Sequence, residues 1–323
     1  MTRVLRLSIL LASLAPLSGC LFRSHTVERR MSTAPLMRAT RDQLVAGLNA
    51  NATLIQTLDA TVDISPSVGG SKKGKVTDYT QIRGYILLRK PAMLRMIGLF
   101  PVLRNRAFDM VSDGQTFRLS IPPRNKFVIG RNDLIYPSQE GLSGLRPQHI
   151  LDALLMRPVN AQNEIAILQS ENEIVIDPKS KKEAIEPNYG LEILRNDPAP
   201  VGWVLSRKIY FNREDLRISR ELLYDTAGNV ITDTHYSGYV KYGIVDFPSL
   251  ITIDRPQEEY SIVLSIVKMI FNQPLRDDQF VLVQPAGSQL VRLDVEPPPK
   301  LPAAAEPKPS KSATNSSPPA HEE

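Results

Sequence analysis

The fold turns on the reading of Phe108-Asp109-Met110-Val111-Ser112-Asp113-Gly114-Gln115-Thr116-Phe117-Arg118-Leu119-Ser120-Ile121. Phe108 and Met110 alternate with Asp109, and Phe117, Leu119 and Ile121 alternate with Thr116, Arg118 and Ser120, which is the period of a half-buried strand. The turn residues Ser112-Asp113-Gly114-Gln115 lie between the two runs, so the stretch is a β-hairpin with one apolar face.

The same alternation extends outward from this hairpin. Strands are expected at Ile165/Ile167, Ile174/Ile176, Leu191/Ile193, Trp203–Phe211, Ile218–Tyr224 and Val230–Tyr242, then at Ser249–Asp254, Glu259–Lys268, Phe280–Val283 and Leu290–Val295. Two helices interrupt them. Leu44, Leu48, Ile55 and Leu58 recur at helical spacing over Thr40–Leu58, and Ile150, Leu151, Leu154 and Leu155 share a face over Arg146–Met156, with Pro147 and Pro158 near its ends. Many sequential strands without βαβ alternation give a mainly β, α+β fold: one antiparallel meander too long to stay flat, curling into a barrel or half-barrel with a helix on its concave side.

The 323 residues carry 39 Lys and Arg against 34 Asp and Glu, and a single cysteine. One cysteine forms no intrachain disulfide and no thiolate metal cluster. Its setting is informative. Arg3 and Arg6 precede the apolar run from Leu7 to Leu14, and small residues follow, as in a secretory signal of residues 1–19. That run is far short of the ~20 apolar residues of a permanent transmembrane helix. Leu17-Ser18-Gly19-Cys20 resembles the lipobox of bacterial lipoproteins. The resemblance implies that Cys20 carries a diacylglycerol and becomes the mature N-terminus, anchoring the chain to a membrane without a spanning helix. A secreted protein with a stray thiol is the alternative reading. Leu21 stands where an Asp would mark inner-membrane retention, which favours the periplasmic face of the outer membrane.

Loss of Arg3 and Arg6 lowers the net charge from +5 to +3, too mild a balance for a nucleic-acid-binding face. Residues 20–36 read as a tether and 37–295 as one domain. Residues 296–323 hold eight prolines and one large apolar residue, Leu301, so they are expected to form an extended tail, either a spacer or partner-binding arm or a solvated end.

Catalytic patterns are not found. Gly69, Gly74 and Lys75 match a phosphate-loop spacing, but Val76 replaces the hydroxyl residue and the segment lies between strands; a lysine-rich hairpin at Lys72, Lys73 and Lys75 is the better reading. His25, His149, His235 and His321 have no second histidine at metal-ligand spacing, and no Gly-x-Ser-x-Gly elbow surrounds Ser143. Glu258-Glu259 and Asp277-Asp278 read as solvated turn charges. No enzyme activity, metal or cofactor is expected.

The lipobox, the helix leading into Leu58-Asp59-Ala60-Thr61-Val62-Asp63-Ile64, and the order of elements from Arg83 to Pro158 together resemble the LolA/LolB superfamily of lipoprotein carriers and receptors. That order is a strand at Arg83–Leu88, a strand at Leu94–Ile97, an apolar loop at Gly98–Leu103, a strand and Asp-Gly turn at Phe108–Gly114, and a helix ending near Pro158. The length, the Pro-rich tail and the insert around Lys179–Asn188 depart from LolB. The resemblance implies an incomplete antiparallel barrel, closed by a helical lid, whose apolar cavity takes acyl chains. Leu94, Met96, Phe108, Met110, Phe117 and Leu119 are candidates for lining it or for plain core packing, and methionine suits a pocket for variable chains.

Leu99, Phe100, Val102 and Leu103 surround Pro101 where a turn ordinarily carries Gly, Asn, Asp or Ser, so they are either buried under a neighbour or exposed for membrane or cargo contact. The resemblance to the protruding loop of LolB-like receptors favours exposure, with Arg104 and Arg106 meeting lipid phosphates. The expected function is an outer-membrane-anchored, monomeric lipoprotein that binds acyl chains of lipoproteins or lipids and helps deliver them, with a soluble LolA-like periplasmic carrier as partner. An envelope sensor or scaffold that binds without transfer is the alternative.

Overall fold

A computed structural model describes residues 28–29, 35–133, 145–176, 181 and 183–293. The signal segment, Cys20 and the 296–323 tail lie outside the described residues, as does most of the tether.

Helix α1, Arg41–Leu54, begins at Thr40, whose side chain accepts from the Gln43 amide while the Gln43 side chain accepts from the Thr40 amide. This reciprocal box satisfies two of the orphan donors of the first turn. At the other end the Asn272 amide donates to the Leu54 carbonyl at 2.9 Å, and the Lys90 ammonium donates to the Ala52 carbonyl. The helix therefore stops four residues before Leu58, short of the expected Thr40–Leu58. Ile55 and Leu58 fit helical spacing by coincidence: Leu58, Ala60, Val62 and Ile64 are the buried alternate positions of strand β2, Thr57–Gly70.

Among the described residues one sheet contains every strand, and its order separates into two meanders. The first comprises β2, β3 (Lys75–Asp78), β4 (Ile82–Arg89), β5 (Met93–Leu99), β6 (Arg106–Ser112), β7 (Thr116–Ile121) and β8 (Lys126–Arg131). The second comprises β9 (Glu164–Ile176), β10 (Glu183–Asp197), β11 (Gly202–Asn212), β12 (Ile218–Tyr224), β13 (Val230–Tyr242), β14 (Val245–Arg255) and β15 (Tyr260–Phe271). They join where the last strand pairs with the first: β15 runs antiparallel to β2, with Leu264 opposite Ile64. The outer strands do not meet, so the sheet stays open. Two pairings depart from an all-antiparallel meander, since β1 (Glu28–Arg29) lies parallel to β10 and β16 (Gln289–Arg292) parallel to β8. Of the expected insert near Lys179–Asn188, Lys179 lies outside the described residues, and 183–188 form the start of β10 paired with β9.

Helix α2, Pro147–Leu154, lies on the inner face and touches both β6 and β14. Those strands are five places apart in the sheet, ~24 Å on a flat surface, whereas eight helical residues span ~12 Å. Contact with both requires the sheet to curl around the helix. Ile150, Leu151, Ala153 and Leu154 pack there on Leu58, Val62, Ile86, Leu94, Ile251 and Leu264, while Leu44 and Leu48 of α1 pack on Leu191, Ile193, Ile209 and Phe211. No described helix is long and apolar enough to cross a membrane.

Beyond β15 the chain returns along the outer face of the first meander. Arg89, Arg95 and Arg118 reach out from β4, β5 and β7 and donate to the carbonyls of Leu275, Gln279 and Leu282. Phe280 and Leu282 are buried by this crossing. The Phe280–Val283 strand expected from alternation is thus a 3-10 turn (Asp277–Phe280) and an extended strap that packs on the sheet without joining it.

Candidate functional site

Three sets of hydrogen bonds fix α2 on the inner face. His149 shares a 2.6 Å hydrogen bond with the Tyr260 hydroxyl, and the Tyr236 hydroxyl donates to the Ala153 carbonyl at 3.1 Å. Just past the helix, Arg207 donates to the carbonyls of Arg157 and Pro158 at 2.6 and 2.9 Å. Burial, with Arg255 and Arg146 nearby, holds His149 well below the usual imidazole range, so it is neutral at physiological pH. Arg207 is itself buried, 3.6 Å from Glu164 and 3.7 Å from Glu221. Asn49 of α1 adds a two-way bond to the backbone of Val159, at 2.7 and 3.2 Å, tying α1 to the segment that follows α2.

Pinned in this way, α2 leaves an apolar cavity at each of its ends. Beyond its C-terminal end, a cavity of about 440 Å³ lies between α1 and the second meander. Leu44, Gly47, Leu48, Leu154, Leu155, Phe211, Ile218, Tyr236 and Phe247 line it, with Arg38, Lys90, Arg217 and Asp246 among its polar lining residues. Arg217 is matched by Asp246 at 2.7 Å. Burial lowers the Lys90 ammonium below its ordinary range. Beside the N-terminal end, a cavity of about 500 Å³ lies over β6, β7 and β8, lined by Phe108, Met110, Phe117, Leu119, Val128 and Leu145. Two glycines make room for its rings. A Cβ on Gly98 would stand 2.4 Å from Phe108, and one on Gly130 2.6 Å from Phe117, each on the paired strand directly opposite.

The six residues proposed for a pocket divide accordingly. Phe108, Met110, Phe117 and Leu119 line the second cavity together, whereas Leu94 and Met96 lie in the packed core between the cavities and line neither. From sequence, Leu44, Leu48, Leu154 and Leu155 read only as helix faces and His149 only as a histidine without a metal-ligand partner; nothing there places them at a cavity or a pin, nor Tyr236, Tyr260 and Arg207. Only the last left a signal, a charge at an inward strand position in line with Ile209 and Phe211.

The segment after β5 forms an exposed turn. Leu99 is half-buried at the strand end, while Phe100, Val102 and Leu103 are 41%, 89% and 75% exposed. The turn closes through bonds from the Phe100 amide to the Asn105 carbonyl and from the Arg104 amide to the Phe100 carbonyl. Arg106 is 3.2 Å from the buried Asp109, which also receives two bonds from Arg95. The lysine-rich segment around Lys72 is the β2–β3 turn, held by the Glu259 carboxylate on the Lys72 amide.

Among solved structures, the chain is similar to a LolA superfamily protein from Nitrosomonas europaea, with 14% identity and a TM-score of 0.44 over 74% of this chain and 97% of the other. It is similar to a DUF1329 family protein from Desulfovibrio piger, with 15% identity and a TM-score of 0.47 over 74% and 94%. A domain assigned to outer membrane lipoprotein sorting in Vibrio parahaemolyticus is similar at 12% identity and a TM-score of 0.39 over 73% and 94%. No protein-family model matches the chain, and no curated protein matches it.

Proposed function

We propose that this chain is a lipid-anchored envelope protein that shelters acyl chains of lipoproteins or lipids on the inner face of its sheet and assists their delivery to the outer membrane. The observation that carries the reading is the cavity of about 440 Å³ between α1, the end of α2 and the second meander, whose walls are mainly aliphatic and aromatic. Its size falls in the ordinary range of ~300–1,000 Å³ for ligand sites. Each methylene of a chain moved there from water contributes ~0.8 kcal/mol, so shape and dryness suffice for binding. The lipobox at Leu17–Cys20 supports the anchor, and Leu21 supports the outer membrane. The exposed Phe100, Val102 and Leu103 supply an apolar contact with the bilayer or cargo, and a soluble LolA-like carrier is the proposed donor.

Mass spectrometry of lipid that co-purifies with the chain tests binding, and passage of labelled lipoprotein from a soluble carrier to liposomes tests delivery. Bound lipid with transfer supports the proposal; binding without transfer shifts the function to sensing, and an empty protein removes it. Labelling by a palmitate analogue that persists in Cys20→Ala would defeat the anchoring.

A further inference from the structure

The two cavities differ in whether a carboxylate lines them. The one beside α1 is lined by both signs, with Arg217 and Asp246 joined as a pair. The one over β6–β8 has Arg124, Lys126 and Arg146 among its lining residues and no carboxylate among the described ones. Arg124 and Lys126 are exposed at its edge, on the turn between β7 and β8 and the first residue of β8. Arg146 is buried, with its guanidinium 5.4 Å from the centre of the Phe117 ring that forms part of the floor. The Tyr79 side chain, half-exposed, also lines it.

We infer that the cavity over β6–β8 is a distinct site for a single-chain amphiphile with an anionic head, its chain against Phe108, Met110, Phe117 and Leu119 and its carboxylate or phosphate at Arg124 and Lys126. The inference rests on the acyl-binding reading and adds the class of headgroup. An apolar tail needs only the floor, whereas a headgroup left at the edge meets two cations in water. Exposed charge pairs of this kind are weak and screened by salt, so the preference they impose is about fivefold at low ionic strength and fades as salt is added.

The test uses the full chain on vesicles of zwitterionic phosphatidylcholine. It is irradiated with dodecyl probes that bear a diazirine at the chain end and a carboxylate, phosphate or trimethylammonium head, and the labelled peptides are quantified by mass spectrometry. Both anionic probes are expected to label peptides containing Phe108–Leu119 about fivefold more than the cationic probe, and the stronger of the two identifies a fatty acid or a phosphate ester as the source. Arg124→Ala with Lys126→Ala should lower anionic labelling and relieve the repulsion of the cationic head, so that the two become equal, and Arg124→Lys with Lys126→Arg should retain the preference. Equal labelling by all three heads in the unaltered chain overturns the inference and leaves acyl binding standing. Absence of labelling anywhere on the inner face overturns the acyl-binding reading as well.

Discussion

Glu221 occupies an inward position of β12, opposite Ile209, where the pattern calls for an apolar side chain. Burial raises its carboxyl from an ordinary 4.5 to about 7, against the opposing pull of Arg207 and Arg157 and with the support of Asp152, whose own carboxyl burial also raises. Between pH 4.5 and 7 the unfolded chain gives up this proton while the folded chain keeps it, so rising pH disfavours the fold through this group, and the loss is complete above 7. Glu221→Gln carries no such proton. Urea denaturation across this range should show the wild type losing stability relative to the variant as pH rises; a difference that stays constant would contradict the assignment. Arg207 and Glu221 also mark a limit of sequence reading. Alternation places them inside, but their mutual proximity comes from the pairing of β11 with β12, and the carbonyls Arg207 holds belong to a segment some fifty residues earlier. A buried charge with such partners is costly to leave alone, which is why it stands as a pin for α2.

At the scale of elements, period-two alternation exposed most strands, because one face of each is buried and the other is not, but it gave no sign of β1, β8 or β3, which is exposed throughout. It failed where an extended segment packs without pairing. Phe280 and Leu282 are buried and Val281 and Val283 exposed, which is a strand's pattern produced by a strap lying on the outer face. The boundary between α1 and β2 was blurred for a related reason, since Ile55 and Leu58 serve either period. The turn after β5 is the element with the plainest consequence. Val102 and Leu103 are so exposed that replacing both by Asp should leave the melting temperature within a degree or two, because surface changes ordinarily stay within ~0.5 kcal/mol. Transfer of labelled lipoprotein to liposomes should nevertheless fall at least tenfold. Normal transfer by the variant would remove the turn from the delivery mechanism.

For the whole molecule, the join between β15 and β2 could not be read locally: it pairs residues about two hundred positions apart, and nothing in either strand names the other. That join makes two meanders into one curled sheet and creates the inner face on which both helices lie. The C-terminal strap reinforces the first meander from outside. Burial of Phe280 and Leu282 contributes ~1.5–3 kcal/mol each, so truncation at Phe271 should lower the melting temperature by many degrees. Removal of 297–323 alone is expected to leave it unchanged, and a clear drop there would place the domain limit further on.

Gly47 provides the most direct test of acyl-chain shelter. It lines the cavity between α1 and α2, and a Cβ added to it meets nothing within 4 Å. Gly47 is exposed at the mouth of this space, so Gly47→Phe sets a ring across the way in for the chain, and replacing glycine by phenylalanine inside a helix recovers ~0.5 kcal/mol of helix propensity, so the fold should not suffer. The measurement is the quantity of acyl chain retained per protein after purification from the envelope, read by mass spectrometry alongside the melting temperature. Retention reduced severalfold with an undiminished melting temperature is the predicted result. Unchanged retention in an equally stable variant would show that this cavity does not hold the lipid.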